Sequence, residues 1–360
     1  MFQRILVPLD GSARAEQALP LAARLARVTG GVVILLRVDT TQVNMVWYSG
    51  QAAQMMQETL EAEHTRAVEY LTHLLSSEVL DGVAASMLTV EGEAAHGILV
   101  AAKEQQADLI VISSHGHTGF KRWMVGSVAQ KVARHSPVPV LILRSTGEKQ
   151  ISLPPAGERP VRVLVPLDGS TLAEAALEPA VALSQEFSTP VAGALHVVQV
   201  LPVARHEHAI RDEIPLEPVA GGALHGIRDL PIASPESDPE KTKRLAAKKE
   251  QALNEAHSYL TEIKHTICGE GRVTQDFQIT TSVVADTDIA SALIELVESG
   301  EESGMHIGDS IDGCDVIAMA THGRSGLTRW IMGSITECVL DASRLPLLIV
   351  RPSNDIQKQV

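Results

Sequence analysis

The stretch RILVPLDGS at residues 4–12 returns as RVLVPLDGS at residues 162–170. Farther along each half, ADLIVISSHGHTGFKRWMVGS at 107–127 returns as CDVIAMATHGRSGLTRWIMGS at 314–334. Each half then closes on a short apolar run before an arginine, at 139–144 and 346–351. Two matched blocks in the same order, each followed by the same ending, make the chain a tandem duplication. Whatever architecture suits one half must therefore suit the other. A length of 360 residues is long for one core and comfortable for two domains.

Within a copy, short β-rich runs alternate with helical periods, the pattern of an α/β fold with a parallel sheet. The first copy reads as strand 4–9, helix 13–29, strand 32–38, helix 51–77, strand 83–90, helix 94–105, strand 108–113, helix 127–135 and strand 138–143. Aromatic residues make up only 3% of the chain against 45% hydrophobic residues. The cores must then be built from Val, Ile, Leu and Ala, which suits helices packed on both faces of a buried parallel sheet. The expectation is two doubly wound, Rossmann-like domains of five parallel strands each. The first is assigned to residues 1–148 and the second to 161–353. ISLPPAGERP, within the linker 149–160, is short and stiff because its prolines oppose helix.

The second copy is longer in two places. Residues 202–243 are dense in Pro, His and Glu without a clear period, and 299–313 form a smaller addition. The first sits where copy one has 40–50, with Trp47 and Tyr48. Both segments leave the carboxyl end of a second strand, where open α/β sheets bind ligands. A solvated excursion, a lid and a partner-docking loop are the readings open there.

Charge and cysteine usage narrow the function classes. A formal net charge of −14 opposes a general grip on nucleic acid, which needs clustered Lys and Arg. Cys268, Cys314 and Cys338 fit neither a disulfide framework nor a zinc spacing. The longest apolar runs, such as 32–36, are too short to span a bilayer, and a strand begins almost at once in place of a leader. A soluble, cytoplasmic protein is expected.

The strongest chemical constellation is Gly116-x9-Gly126-Ser127, repeated as Gly323-x9-Gly333-Ser334. It follows a buried strand and opens a helix. Gly116 and Gly323 let a ligand approach the backbone, and Gly126 and Gly333 permit the turn into the helix. Ser127 and Ser334 are expected where an N-cap hydroxyl and free N–H groups meet the positive end of the helix dipole. A phosphate there gains hydrogen bonds and charge. The second element is Pro8-Leu9-Asp10-Gly11-Ser12, repeated from Pro166 through Asp168 to Ser170. Alone, Asp-Gly-Ser is a turn and a helix cap. Beside the glycine loop, at the switch point of the sheet, Asp10 and Asp168 are placed to meet a ribose or a metal bridging phosphates.

This combination, V-P-L-D-G-S on the first strand, H-G-x-x-G after the fourth, then G-S and a final apolar strand before Arg, resembles the universal stress protein (UspA-like) family. The resemblance covers both copies apart from the linker, the insertions and the tail. It implies a tandem, two-domain member of the adenine nucleotide alpha hydrolase type of fold and a regulatory or stress-response role. ATP-binding members carry G-x2-G-x9-G-[S/T]. Here Ser113 and Ala320 replace the first glycine of that pattern, a loss of one or two heavy atoms of room. The resemblance places Val38 and Val197 at adenine, Asp10 and Asp168 at ribose, and Gly116, Gly126, Ser127, Gly323, Gly333 and Ser334 at the phosphates. Pro8, Val128, Pro166 and Ile335 flank these positions. ATP, with Mg through Asp10 and Asp168, is the implied ligand, and a homodimer beside an intrachain pseudo-dimer the implied assembly.

Weaker candidates surround the loop. His115 and His322 either touch a phosphate or hold the turn. Trp123 and Trp330, each after an arginine (Arg122, Arg329), suit packing better than base stacking. His206, His208 and His225 lack metal-ligand spacing on a regular element. The chain has no Walker lysine loop, no G-x-G-x-x-G and no G-x-S-x-G elbow, so slow ATP hydrolysis is the most catalysis expected. The competing function is a ligand-free interaction module that works through dimerisation and an unidentified protein partner.

Overall fold

The structure is a computed structural model that describes residues 1–40, 51–114, 125–144, 153–203, 239–269, 271, 273–298, 305–309, 313–322 and 332–352. The first domain runs β1 (Arg4–Leu9), α1 (Ala13–Glu16), α2 (Ala18–Thr29), β2 (Val32–Asp39), α3 (Gln51–Leu75), β3 (Ala84–Glu91), α4 (Ala94–Glu104), β4 (Leu109–Ser113), α5 (Ser127–His135) and β5 (Val140–Leu143). The second runs β6 (Arg162–Pro166), α6 (Thr171–Glu174), α7 (Leu177–Ser188), β7 (Ala194–Pro202), α8 (Pro239–Gly269), β8 (Gln278–Asp286), α9 (Ile289–Glu298), β9 (Met305–Gly308), β10 (Val316–Ala320), α10 (Ser334–Ala342) and β11 (Leu347–Val350).

Among the described residues all strands join one sheet in the order β3-β2-β1-β4-β5-β11-β10-β6-β7-β8-β9. Within each half the neighbours of β1 and of β6 pair in parallel, and the order reverses between β1 and β4 and between β6 and β10. Those are the crevices where a doubly wound sheet receives ligands. Residues of the central strands are buried on both faces. Ile5, Val7 and Leu35 pack beneath α2 and α3, while Leu6, Ile34 and Ile110 pack beneath α4 and α5. This is why the strands read as continuous apolar runs rather than alternating ones.

The halves meet edge to edge. β5 and β11 pair antiparallel, with Val140 opposite Ile349 and Ile142 opposite Leu347. Their eight residues are buried, worth about 1.5–3 kcal/mol for each large side chain. The arginine that follows each strand reaches the last turn of the other domain's helix. Arg144 donates to the Leu340 carbonyl, and Arg351 Nη1 to the His135 carbonyl at 3.5 Å. Burial pulls the Arg144 guanidinium down to about 10. On the opposite face Arg24 donates to the carbonyls of Pro154 and Phe187, tying α2 to the linker and to α7.

Two sequence expectations need correction. The helix expected over 13–29 is broken at Gln17, whose N–H turns to the Ala15 and Arg14 carbonyls. The second domain is also not a five-stranded parallel sheet. β9, inside the expected insertion 299–313, adds a sixth strand antiparallel to β8, with Val283 opposite Ile307. Residues 204–238, most of the larger expected insertion, lie outside the described residues, and helix α8 begins before that insertion's expected end.

Candidate functional site

Above the first crevice lies a cavity of about 350 Å³. The end of β1 supplies Pro8 and Asp10, β2 supplies Val38, and β4 supplies Ser113. Gly126, Ser127 and Val128 close it from the start of α5, and Ala94 and Ile98 from α4. The same construction in the second domain encloses only about 110 Å³, bordered by Pro166, Asp168, Ala320, His322, Gly333, Ser334 and Ile335.

The start of α5 differs from the expectation in one detail. Gly126, not Ser127, is the N-cap, with φ −62° and ψ 149°, and Ser127 is the first helical residue. Gly333 and Ser334 repeat this at α10, with φ −59° and ψ 143°. Any residue adopts these angles, and a Cβ on Gly333 would approach nothing nearer than 3.6 Å. At Gly333 neither backbone strain nor crowding demands glycine, and at Gly126 the backbone angles do not demand it. The consequence is a helix start with no side-chain cap, its first N–H groups turned toward the cavity side. Gly126 N–H donates to the Ser114 carbonyl at 2.7 Å, and Gly333 N–H to the Thr321 carbonyl at 2.8 Å. These bonds set each helix start against the end of β4 or β10.

Asp10 anchors the other side. Its Oδ1 accepts from Ser12 N at 3.0 Å and Ser12 Oγ at 2.6 Å, and Ser12 Oγ caps α1 through Ala15 N. Asp168 and Ser170 have the same three distances in the second domain. The turn-and-cap role is thus realised in both halves, and it holds each carboxylate at its crevice. His322 Nδ1 lies 2.9 Å from Thr321 Oγ1 at the edge of the second cleft. His115, Gly116, Gly323, Arg122, Trp123, Arg329, Trp330, Trp47, Tyr48, His206, His208 and His225 lie outside the described residues.

Val197 must be corrected. The register pairs Pro8 with Leu36 and Pro166 with Val198, so Val38 corresponds to Val200. Val200 borders the second cleft, whereas Val197 is fully buried in the core on the other face of β7.

Three matched positions that sequence reasoning missed explain why the clefts differ. Ala94, Ile112 and Ala129 line the first, and Ile289, Met319 and Thr336 stand at the matching places in the second. Ile289 carries three more carbons than Ala94 at the start of the helix roofing the cleft. Thr336 turns its hydroxyl to the Ala320 carbonyl at 3.0 Å. No short motif marks these positions; the matching helix starts, at Ala94 and Ile289, and the matched strands and helices at the other two positions reveal them. Among the described residues no three His, Cys, Asp or Glu side chains converge on a metal position. Nor is any described helix long and apolar enough to cross a membrane.

Residues 1–144 and 161–351 match the model of the universal stress protein family. Universal stress protein YxiE of Bacillus subtilis is 33% identical over 150 residues, 40% of this chain and 100% of the relative. Universal stress protein Mb2028c of Mycobacterium bovis is 25% identical over 248 residues, 69% of this chain and 63% of the relative. A solved universal stress protein from Archaeoglobus fulgidus matches over 98% of this chain and 97% of its own, with TM-score 0.57 and 18% identity. That last likeness concerns the fold.

Proposed function

The chain belongs to the universal stress protein family, and from that premise we propose that it is a stress-response regulator whose first domain binds ATP. The observation that carries this reading is the first cavity. Its volume of about 350 Å³ falls in the range of small-molecule sites, roughly 300–1,000 Å³. A helix start without a side-chain cap stands on one side and a held carboxylate on the other. The α5 N-terminus suits the phosphates by hydrogen bonding and by its dipole. Asp10 suits the ribose hydroxyls, and the backbone at Val38 suits adenine. Ser113 in place of glycine narrows the approach without closing it. A magnesium ion would be held chiefly by phosphate oxygens and water, with Asp10 the carboxylate nearest to serve it.

The second domain, with a cleft of about 110 Å³, supports the other reading for its own half: an interaction module that keeps the fold and not the ligand. The same proposal places the protein in the cytoplasm, where ATP is abundant, acting as a homodimer on a protein partner. Mass spectrometry of the denatured, freshly purified chain, with calorimetric titration of ATP into the stripped protein, tests the nucleotide reading. Neither co-purified nucleotide nor measurable ATP binding would sink it.

A further inference from the structure

Arg37, near the end of β2, lines the first cavity, yet the nucleotide reading leaves it without a task. Its Nε and Nη1 are buried and have no hydrogen-bond acceptor. Asp39 Oδ1 comes only to 3.8 Å from Nε, beyond hydrogen-bond range. Asp39 is also drawn toward His64, whose Nδ1 lies 3.6 Å from Oδ2, and burial raises the Asp39 pKa. Nη1 stands over the Asp-Gly-Ser turn, where a Cβ on Gly11 would come within 3.1 Å of it. A half-buried guanidinium with two buried, unmet donors is completed by whatever acceptor enters the cavity.

The second domain serves as an internal control. Tyr70 donates to Glu16 at 2.9 Å, and Tyr259 to Glu174 at 2.8 Å, which aligns α3 with α8. In that alignment Leu253 stands for His64. By strand register Gln199 stands for Arg37 and Leu201 for Asp39. All three ionisable side chains are replaced together, in the half with the small cleft.

Topology fixes which end of a ligand Arg37 meets. β2 flanks β1 on the side away from β4. At about 4.8 Å per strand, the axes of β2 and β4 lie about 10 Å apart with β1 between them, and the guanidinium reaches over the β1 turn at Gly11 from the β2 side, while α5 stands on the β4 side. Building on the nucleotide reading, we propose that Arg37 is an anion-binding residue selecting adenine nucleotides that carry a second phosphate on the ribose 2′ or 3′ oxygen. A planar guanidinium suits such a phosphate bidentately, and an arginine beside the ribose plays this part in dinucleotide folds generally. Of the nearby carboxylates, Asp10 is engaged with Ser12 and Glu16 with Tyr70, while Asp39 forms a long ion pair with Nε at 3.8 Å, which leaves Nη1 to meet the ligand.

Calorimetry on the full chain with 5′-AMP, adenosine 2′,5′-bisphosphate and adenosine 3′,5′-bisphosphate tests this. The wild type should bind one of the bisphosphates at least about tenfold tighter than AMP, about 1.4 kcal/mol. Arg37→Gln, which installs the second domain's own residue, should reduce that ratio to about twofold or less, and Arg37→Lys should retain part of it. Equal affinity for all three ligands in the wild type overturns the proposal, as does a preference that survives Arg37→Gln. Failure of the wild type to bind AMP or ATP overturns the nucleotide reading itself, and this proposal with it.

Discussion

The two clefts are built from the same strands and helix starts, with Asp10 and Asp168 held by identical bonds, yet one is about three times the volume of the other. The difference does not lie in the motifs. Gly-x9-Gly-Ser and Pro-Leu-Asp-Gly-Ser survive in both halves. It lies in the walls, where Ala94 becomes Ile289, Ile112 becomes Met319 and Ala129 becomes Thr336. A motif records what the backbone can do, and the surrounding side chains decide whether a ligand has room to use it. The sheet edges differ in the same sense: the second domain covers β8 with β9, while β3 ends the sheet on the other side.

The largest expected effect comes from the helix starts. Gly126→Asp provides a favourable N-cap and places a carboxylate where the phosphates would sit. ATP affinity should fall at least about 100-fold, about 2.8 kcal/mol, with no loss of thermal stability. Gly333→Asp should leave ATP affinity unchanged. Equal losses from both variants, measured by calorimetry, would break the comparison.

The next effect concerns stability. His196 is fully buried, with its ring nitrogens 2.7 Å from Thr280 Oγ1 and 2.8 Å from Ser282 Oγ, where the first domain has Ile34. His196→Ile leaves two hydroxyls without this partner and should cost about 2 kcal/mol. Urea unfolding followed by Cys314 labelling reads the second domain directly. An unchanged transition would show that the polar layer contributes nothing.

A smaller change sharpens the wall argument. Ala94→Ile should weaken ATP binding about tenfold, about 1.4 kcal/mol, and a titration matching wild type would remove Ala94 from the explanation. The mildest outcome is chemical. Burial pushes the Cys314 thiol up to about 12, while Cys268 and Cys338 are exposed. At pH 8 a thiol reagent should therefore modify two cysteines quickly in the folded protein and the third only on unfolding. Three fast reactions would show that the second domain opens freely.

Much of this was legible in the sequence. The duplication, the alternation of strands and helices in the first half and the helix over 127–135 follow from repeated strings and apolar periods. β9 was not legible, because Met305–Gly308 is four residues among polar neighbours and only its pairing with β8 makes it a strand. Val197 was mistaken for Val200 because 197–198 and 200–201 are uniformly apolar and give no phase until paired with β6. Ala94, Ile289 and Arg37 carry no local signal, and their meaning appears only when the register brings them to a shared cavity.

The asymmetry between the halves is tested most directly by the stoichiometry of ATP binding to the intact chain in isothermal titration calorimetry. One ATP per chain is the expected result. Two sites of equal affinity would contradict it, as would no binding at all.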